Sequence, residues 1–240
     1  MPRRPRAPFV ALTALLARRF PDLDDPRAAV TDGRVVVDGR VLANPAARVR
    51  SDAAVRVRPP SRLRGTAKLA AALDAFGIGV AGAVAVDVGA AAGGFTAALL
   101  ERGATRVYAV DVGHDQLRDR LRSDPRVVAL ERTNVADLDD RLVPEPVDLV
   151  TMDLSYLPVA AAVRSLDRLY CPRGAALVAV VKPTFELGAA ALVTQPAEVR
   201  TAVRRATEAI AAAGWRPAAC TLPATTGAGG AVEAFVLAHR

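Results

Sequence analysis

The chain is short of the residues on which much protein chemistry depends. Its 240 residues include two cysteines, two histidines and two lysines, and aromatic residues make up 4%. Cys171 and Cys220 provide neither a disulfide framework nor paired metal-ligand spacing, so a reducing, cytoplasmic setting is expected. His114 and His239 lie far apart in sequence, and no metal site is expected. With so few rings, the core must be built from Ala, Val and Leu; 52% hydrophobic residues make it a sizeable one and exclude global disorder. There is no clean membrane span. Residues 75–100 hold a single charge, Asp87, but glycines interrupt them, and a carboxylate at mid-bilayer costs about 2.5–3.5 kcal/mol. The basic start, Met1-Pro2-Arg3-Arg4-Pro5-Arg6, is not followed by a small-residue cleavage site, so no signal peptide is expected. A soluble protein without a membrane partner is the reading.

Positive charge is present but unevenly placed. Of the net +7, residues 1–68 carry fifteen Lys/Arg against six Asp/Glu, whereas residues 69–240 carry seventeen against nineteen. A basic appendage on a near-neutral domain suits a nucleic-acid partner. The plainer alternative is a solvated arginine-rich surface in a chain biased toward Arg and Ala.

The N-terminal 60 residues read as a small α+β module. Apolar residues at helical spacing predict a helix over 8–20, stopped by Pro21, and a second over 26–30. Asp38-Gly39 between β-branched runs predicts a hairpin over 34–42; a short strand over 53–58 ends at Pro59-Pro60. After a linker at 61–65, strands and helices alternate through residues 66–240. Strands are expected at 83–88, 106–110, 126–130, 147–152 and 175–181, with helices at 66–76, 94–102, 114–122, 159–169 and 198–213. Strands at 216–222 and 232–238 face each other across a Gly-rich segment, 225–230. The fold class is α/β, a doubly wound Rossmann-like sheet with an antiparallel terminal hairpin.

Asp87-Val88-Gly89-Ala90-Ala91-Ala92-Gly93-Gly94-Phe95 ends the first of these strands and opens a helix. Small residues allow a ligand close to the backbone, and the helix start offers free N–H groups. Asp111, at the end of the second strand, is placed to accept both hydroxyls of a ribose, and Asn134, after the third, can meet an adenine edge or simply make a turn. These features fit NAD and S-adenosylmethionine about equally. The glycines do not match G-x-G-x-x-G, which weakens the dehydrogenase reading.

Scarcity makes the lysines informative. Thirty positions carry arginine, so Lys68 and Lys182 are candidates for work that guanidinium cannot do, namely accepting a proton. Lys182 follows the fifth strand, Asp153 ends the fourth, Lys68 sits early in the helix before the first, and Glu233 lies on the terminal strand. Two ammoniums facing two carboxylates can poise one lysine to take a proton from a sugar hydroxyl. The alternative is two unremarkable surface lysines.

The blocks Gly65-Thr-Ala-Lys68, Asp87 to Phe95, Ala109-Val-Asp111-Val112-Gly, Glu131-Arg-Thr-Asn134, Asp153-Leu-Ser-Tyr156 and Val181-Lys-Pro-Thr-Phe-Glu186 occur in an order that resembles the TlyA proteins. That family comprises S4-domain, FtsJ-like ribosomal RNA 2′-O-ribose methyltransferases, some labelled haemolysins. The resemblance implies a class I S-adenosylmethionine-dependent methyltransferase fold behind an S4-type RNA-binding module. It implies methylation of a cytidine ribose in 16S and/or 23S RNA, with ribosomal subunits as partners. By motif, Lys68, Asp153, Lys182 and Glu233 would be catalytic, with Lys182 as the base. Asp87, Gly89, Ala90, Gly93, Gly94, Phe95, Asp111, Val112, Asn134 and Asp153 would hold the cofactor. Arg3, Arg4, Arg6, Arg18, Arg62 and Arg64 would meet RNA. The chain departs from the family at Ala91-Ala92, where hydroxyl residues are usual, at Thr184, where Gln is usual, and at Ala231-Val232, in place of an Asn-containing approach to the final Glu. In the module's second helix, Asp22-Leu23-Asp24-Asp25-Pro26 stands where basic residues are usual, and carboxylates repel a phosphate backbone. The runner-up function is therefore a non-enzymatic RNA-binding or ribosome-associated protein with a decayed cofactor site.

Overall fold

A computed structural model describes residues 7–23, 25–31, 33–58, 63–222 and 231–240. The chain divides into two compact units, Met1–Arg62 and Leu63–Arg240.

The first unit contains β1 (Phe9–Ala11), α1 (Leu12–Arg19), α2 (Pro26–Thr31), β2 (Val35–Val37), β3 (Arg40–Leu42), β4 (Arg48–Arg50) and β5 (Val55–Val57). The expected helix at 8–20 begins late because Phe9, Val10 and Ala11 pair antiparallel with Arg50, Val49 and Arg48. Those backbone groups find a sheet partner some forty residues away, which local periodicity does not reveal. From Leu12 the helical spacing holds, and Leu12, Leu15 and Leu16 bury against Ala29, Val30 and Val35. The hairpin of β2 and β3 turns at Asp38 (φ 48°) and Gly39 (φ 84°), the left-handed pair that a type I′ turn requires. Asp25 accepts a hydrogen bond from the Arg27 N–H at 2.8 Å, so one carboxylate of the acidic stretch caps α2. Arg19 also serves the fold, donating to the carbonyls of Ser51 and Ala53 at 2.6 Å each.

The second unit is a seven-stranded sheet. It is built from α3 (Arg64–Phe76), β6 (Val84–Val88), α4 (Gly94–Glu101), β7 (Arg106–Asp111), α5 (Asp119–Arg122), β8 (Val127–Glu131), β9 (Leu149–Met152), α6 (Val159–Ala162), β10 (Ala176–Val181), α7 (Pro183–Glu186), α8 (Pro196–Ala212), β11 (Arg216–Thr221) and β12 (Ala234–His239). The strand order is β11-β12-β10-β9-β6-β7-β8. β6 to β10 pair in parallel, and β12 runs antiparallel to both β10 and β11. Every residue of β9 and β10 is buried, as a parallel sheet covered on both faces demands. The order reverses between β6 and β9, and ligands of such sheets bind beyond the strand carboxyl ends at that point.

Two expected helices are shortened. The stretch from 114 is helical only from Asp119, because the Glu131 carboxylate accepts from the N–H groups of Asp115, Gln116 and Leu117 and holds them out of a helix. The helix expected over 159–169 is α-helical through Ala162 and tightens to a 3₁₀ turn over Val163–Arg168. Residues 225–230 lie outside the described residues. Among those described, no helix is long and apolar enough to cross a membrane.

Candidate active site

The turn after β6 is made of backbone. Gly89, Ala91 and Gly93 all take left-handed conformations, with φ of 86°, 45° and 89°. Glycine is needed at 89 on two counts, since a Cβ there would also lie 2.6 Å from the Asp153 carbonyl oxygen. The close approach draws the glycine turn against the end of β9. A second approach sets α3: a Cβ on Gly65 would stand 3.1 Å from Gly94 Cα, and Thr66 Oγ1 donates to the Gly94 carbonyl at 3.0 Å. Small residues at 65 and 94 thus let α3 lie close enough for Lys68 to reach the sheet's edge.

There the four residues singled out by motif come together. Lys68 Nζ lies 2.6 Å from Glu233 Oε2 and 3.0 Å from Asp153 Oδ2. Lys182 Nζ lies 2.7 Å from Asp153 Oδ1 and donates to Ser155 Oγ at 2.8 Å. The result is a row of alternating charge, Glu233–Lys68–Asp153–Lys182, whose side chains are only 8–21% exposed. Lys68 is further enclosed by the rings of Phe95 and Phe235, 5.7 and 5.6 Å from its nitrogen. Burial works to raise the Asp153 carboxyl, but the two flanking ammoniums outweigh it and hold the group below its ordinary range.

Asp87 behaves differently from its expected role. It is fully buried, and its oxygens accept from Thr96 Oγ1 at 2.7 Å and Thr151 Oγ1 at 3.0 Å. Burial raises its carboxyl to about 6, the hydroxyls only partly countering it. As placed, this carboxylate ties β6, just before the glycine turn, to α4 and β9, and presents no surface to a ligand. Asp111 ends β7 as expected, and its two oxygens accept from the Ala91 and Gly113 N–H groups at 2.8 and 2.7 Å. Each oxygen keeps acceptor capacity for a ribose hydroxyl. Val112 beside it is exposed. Asn134 uses its side-chain oxygen to accept from the Ala136 N–H, the turn-forming alternative, and its amide nitrogen is left over.

Gly89, Ala90, Ala91, Ala92, Gly94 and Phe95 line a cleft of about 220 Å³ together with Asp153, Ser155 and Arg64. Gly93 caps α4 beneath it. A larger apolar groove, about 600 Å³, runs along α8 and β11, but among the described residues its only charged lining residues are Arg200 and Arg204, so chemistry and not size identifies the site. Of the arginines expected to meet RNA, Arg18 and Arg64 are exposed, and Arg3, Arg4, Arg6 and Arg62 lie outside the described residues. Ser155 is a functional residue that the sequence reading missed; its position two residues past Asp153 on a strand-end loop is the available signal.

Strand order, the lone antiparallel β12, the glycine turn after β6 and the carboxylate after β7 define a Rossmann-like class I methyltransferase fold. The chain belongs to the FtsJ-like methyltransferase family, whose model matches residues 61–240. It is 45% identical over 160 residues to the 16S/23S rRNA (cytidine-2′-O)-methyltransferase TlyA of Mycobacterium tuberculosis, an alignment covering 65% of this chain and 59% of that one. The chain thus spans about three fifths of the length of that curated relative. A solved Streptococcus thermophilus structure provisionally called a hemolysin superposes with a TM-score of 0.71 at 25% identity, covering 97% of this chain and 89% of its own. A Mesorhizobium loti S-adenosylmethionine-dependent methyltransferase shares the fold alone, at 18% identity and a TM-score of 0.52, over 71% of this chain and 96% of its own.

The residues present suit S-adenosylmethionine, the donor used in this family. The glycine turn has no room for Cβ atoms at 89 and 93, Ala91 and Ala92 project little into the cleft, and Asp111 offers a diol acceptor.

Proposed function

We propose that the protein methylates the ribose 2′-oxygen of a cytidine in ribosomal RNA, using S-adenosylmethionine. The observation that carries this reading is the row Glu233–Lys68–Asp153–Lys182 assembled at the edge of the glycine-lined cleft. The donor would supply an electrophilic methyl on a sulfonium whose charge disappears on transfer. The protein's share is to align the acceptor and take its proton.

Lys182 suits that task. Asp153 and Ser155 take two of its directions, which fixes the amine and leaves its third free for a hydroxyl. In its free-base form it would accept the proton of the 2′-hydroxyl. Lys68 holds a different office. It bridges both carboxylates, so part of the Asp153 charge is already balanced from the other side. The proton that arrives on Lys182 then passes to solvent.

For substrate grip, residues 1–60 would form an S4-like RNA-binding domain, and the methyltransferase domain would open with α3, which takes up Arg64 and Gly65 of the linker expected at 61–65. The excess of fifteen basic over six acidic residues in 1–68 supports that division, as does the exposed Arg18. Ribosomal subunits are the expected partners, and the cytoplasm the expected place. The completeness of the row tells against a decayed site.

Transfer of tritiated methyl from S-adenosylmethionine to isolated ribosomal subunits tests the proposal. Lys182→Arg keeps charge and fold but cannot accept a proton, so turnover should fall by about 10²–10⁴-fold. Near-normal turnover by that variant, or wild-type transfer to a small molecule and none to RNA, would overturn it.

A further inference from the structure

Of the six buried polar residues in the described chain, Glu186 is the titratable one that neither the row of charges nor the glycine turn uses. It lies four residues past Lys182, at the end of α7. That turn is wound back on Lys182, whose carbonyl accepts from the N–H groups of both Phe185 and Glu186 at 3.0 Å. The Glu186 side chain reaches to the next loop, where Oε1 accepts from the Val159 N–H at the start of α6. Oε2 is buried without a hydrogen-bond partner among the described residues. Burial pushes this carboxyl up, the Val159 and Ala160 N–H groups pull the other way, and the net shift is upward. A buried acid held against its solvation cost calls for a reason.

Two segments of equal length explain it. Ser155 lies four residues before Val159, and Lys182 lies four before Glu186. The loops after β9 and β10 are therefore joined twice, once by Lys182 Nζ to Ser155 Oγ and once by the Val159 N–H to Glu186 Oε1. The first link is the working one and the second lies behind it.

We propose that Glu186 is a positioning residue: by tying α7 to the start of α6 it keeps the Lys182 amine on Asp153 and Ser155. Its consequence for catalysis rests on the reading of Lys182 given above. Its geometric content does not.

The scarcity of lysine supplies the test. Protein grown with lysine labelled with ¹³C at Cε shows two side-chain signals, which Lys182→Arg assigns. In Glu186→Ala the Lys182 signal should broaden or move toward that of a free lysine while the Lys68 signal stays in place. Glu186→Gln, which keeps an acceptor for the Val159 N–H, should restore it. In subunit methylation the Ala variant should lose about 10–100-fold in kcat with KM for S-adenosylmethionine unchanged, since misplacement by about 1 Å costs on that order. Should Glu186→Ala fold poorly, Val159→Pro removes the same bond from the donor side at a first helical position, following a Pro158 whose ψ of 150° suits a proline next. An unmoved Lys182 signal, both lysines moving together, or no recovery with Gln would each overturn the proposal. If the lysine signals respond as expected while the wild type methylates no RNA, the proposed function fails and this inference stands.

Discussion

Two neighbouring strand ends each hold a carboxylate away from water, one fully and one in large part, and they do so by opposite means. At β6, Asp87 is fully buried and answered by two threonine hydroxyls. At β9, Asp153 is answered by two ammoniums. Burial raises the first to about 6, whereas the flanking charges hold the second below its ordinary value. Neutral donors orient a carboxylate without cancelling its desolvation, while paired charges outweigh it. The backbone differs as well. Three of the five residues from Gly89 to Gly93 are left-handed, whereas none of residues 153–158 is. One strand end is shaped to be lined by a ligand, and the other to carry charge in a fixed place.

The sharpest way to break this contrast is to make Asp153 resemble Asp87. Lys68→Met strands Asp153 and Glu233 without the ammonium they share, and removing one partner of a buried pair costs about 3–5 kcal/mol. Urea unfolding should show that loss, and adding Glu233→Gln should recover part of it. An unfolding free energy within about 0.5 kcal/mol of wild type, the range of ordinary surface substitutions, would mean that solvent and not Lys68 balances the row.

The β6 end is tested by pH. The folded-state value of Asp87, about 6, lies above the ordinary 3.8, so the folded protein binds its proton more tightly than the unfolded chain. Stability from this group is greatest below about pH 4 and is lost as pH rises toward 6, by about 3 kcal/mol for a rise of that size. Asp153 acts in the other direction: its contribution is present above its ordinary value and lost as pH falls through its depressed one. Asp87→Asn should therefore gain on wild type between pH 4 and pH 6 in thermal melts. Parallel curves across that window would show that Asp87 is better solvated than its surroundings indicate.

The contrast also marks what the sequence could disclose. The parallel strands were legible because burial on both faces leaves continuous apolar runs such as Ala176–Val181. Lys68 and Lys182 were legible through scarcity, since arginine serves wherever charge alone suffices. The partners of Asp87 were not, because Thr96 and Thr151 stand 9 and 64 residues away and nothing local distinguishes a hydroxyl turned inward. β1 and β4 were hidden for the same reason, each being three residues long and specified by the other. The shortening at 114–118 needed knowledge of where Glu131 points. Glu186 closes the run Val181–Glu186, but its use depends on a loop brought beside it by sheet order.

The smallest expected effect separates two adjacent alanines. Ala91 has a φ of 45°, and a non-glycine residue in that region costs about 1–2 kcal/mol. Ala91→Gly removes this cost and incurs about 0.5–1 kcal/mol of unfolded-chain entropy, so it should stabilise by up to about 1.5 kcal/mol. Ala92 is not among the left-handed residues, so Ala92→Gly incurs the entropy alone and should destabilise by a similar amount. Because neither change alters charge or removes a hydrogen-bonding group, the Ala91 N–H remains free to donate to Asp111. Opposite signs in thermal melts would locate backbone strain in the turn after β6 at one residue. Equal destabilisation would mean that Ala91 relaxes out of the left-handed region in solution, and that the turn closes into this shape only around a ligand.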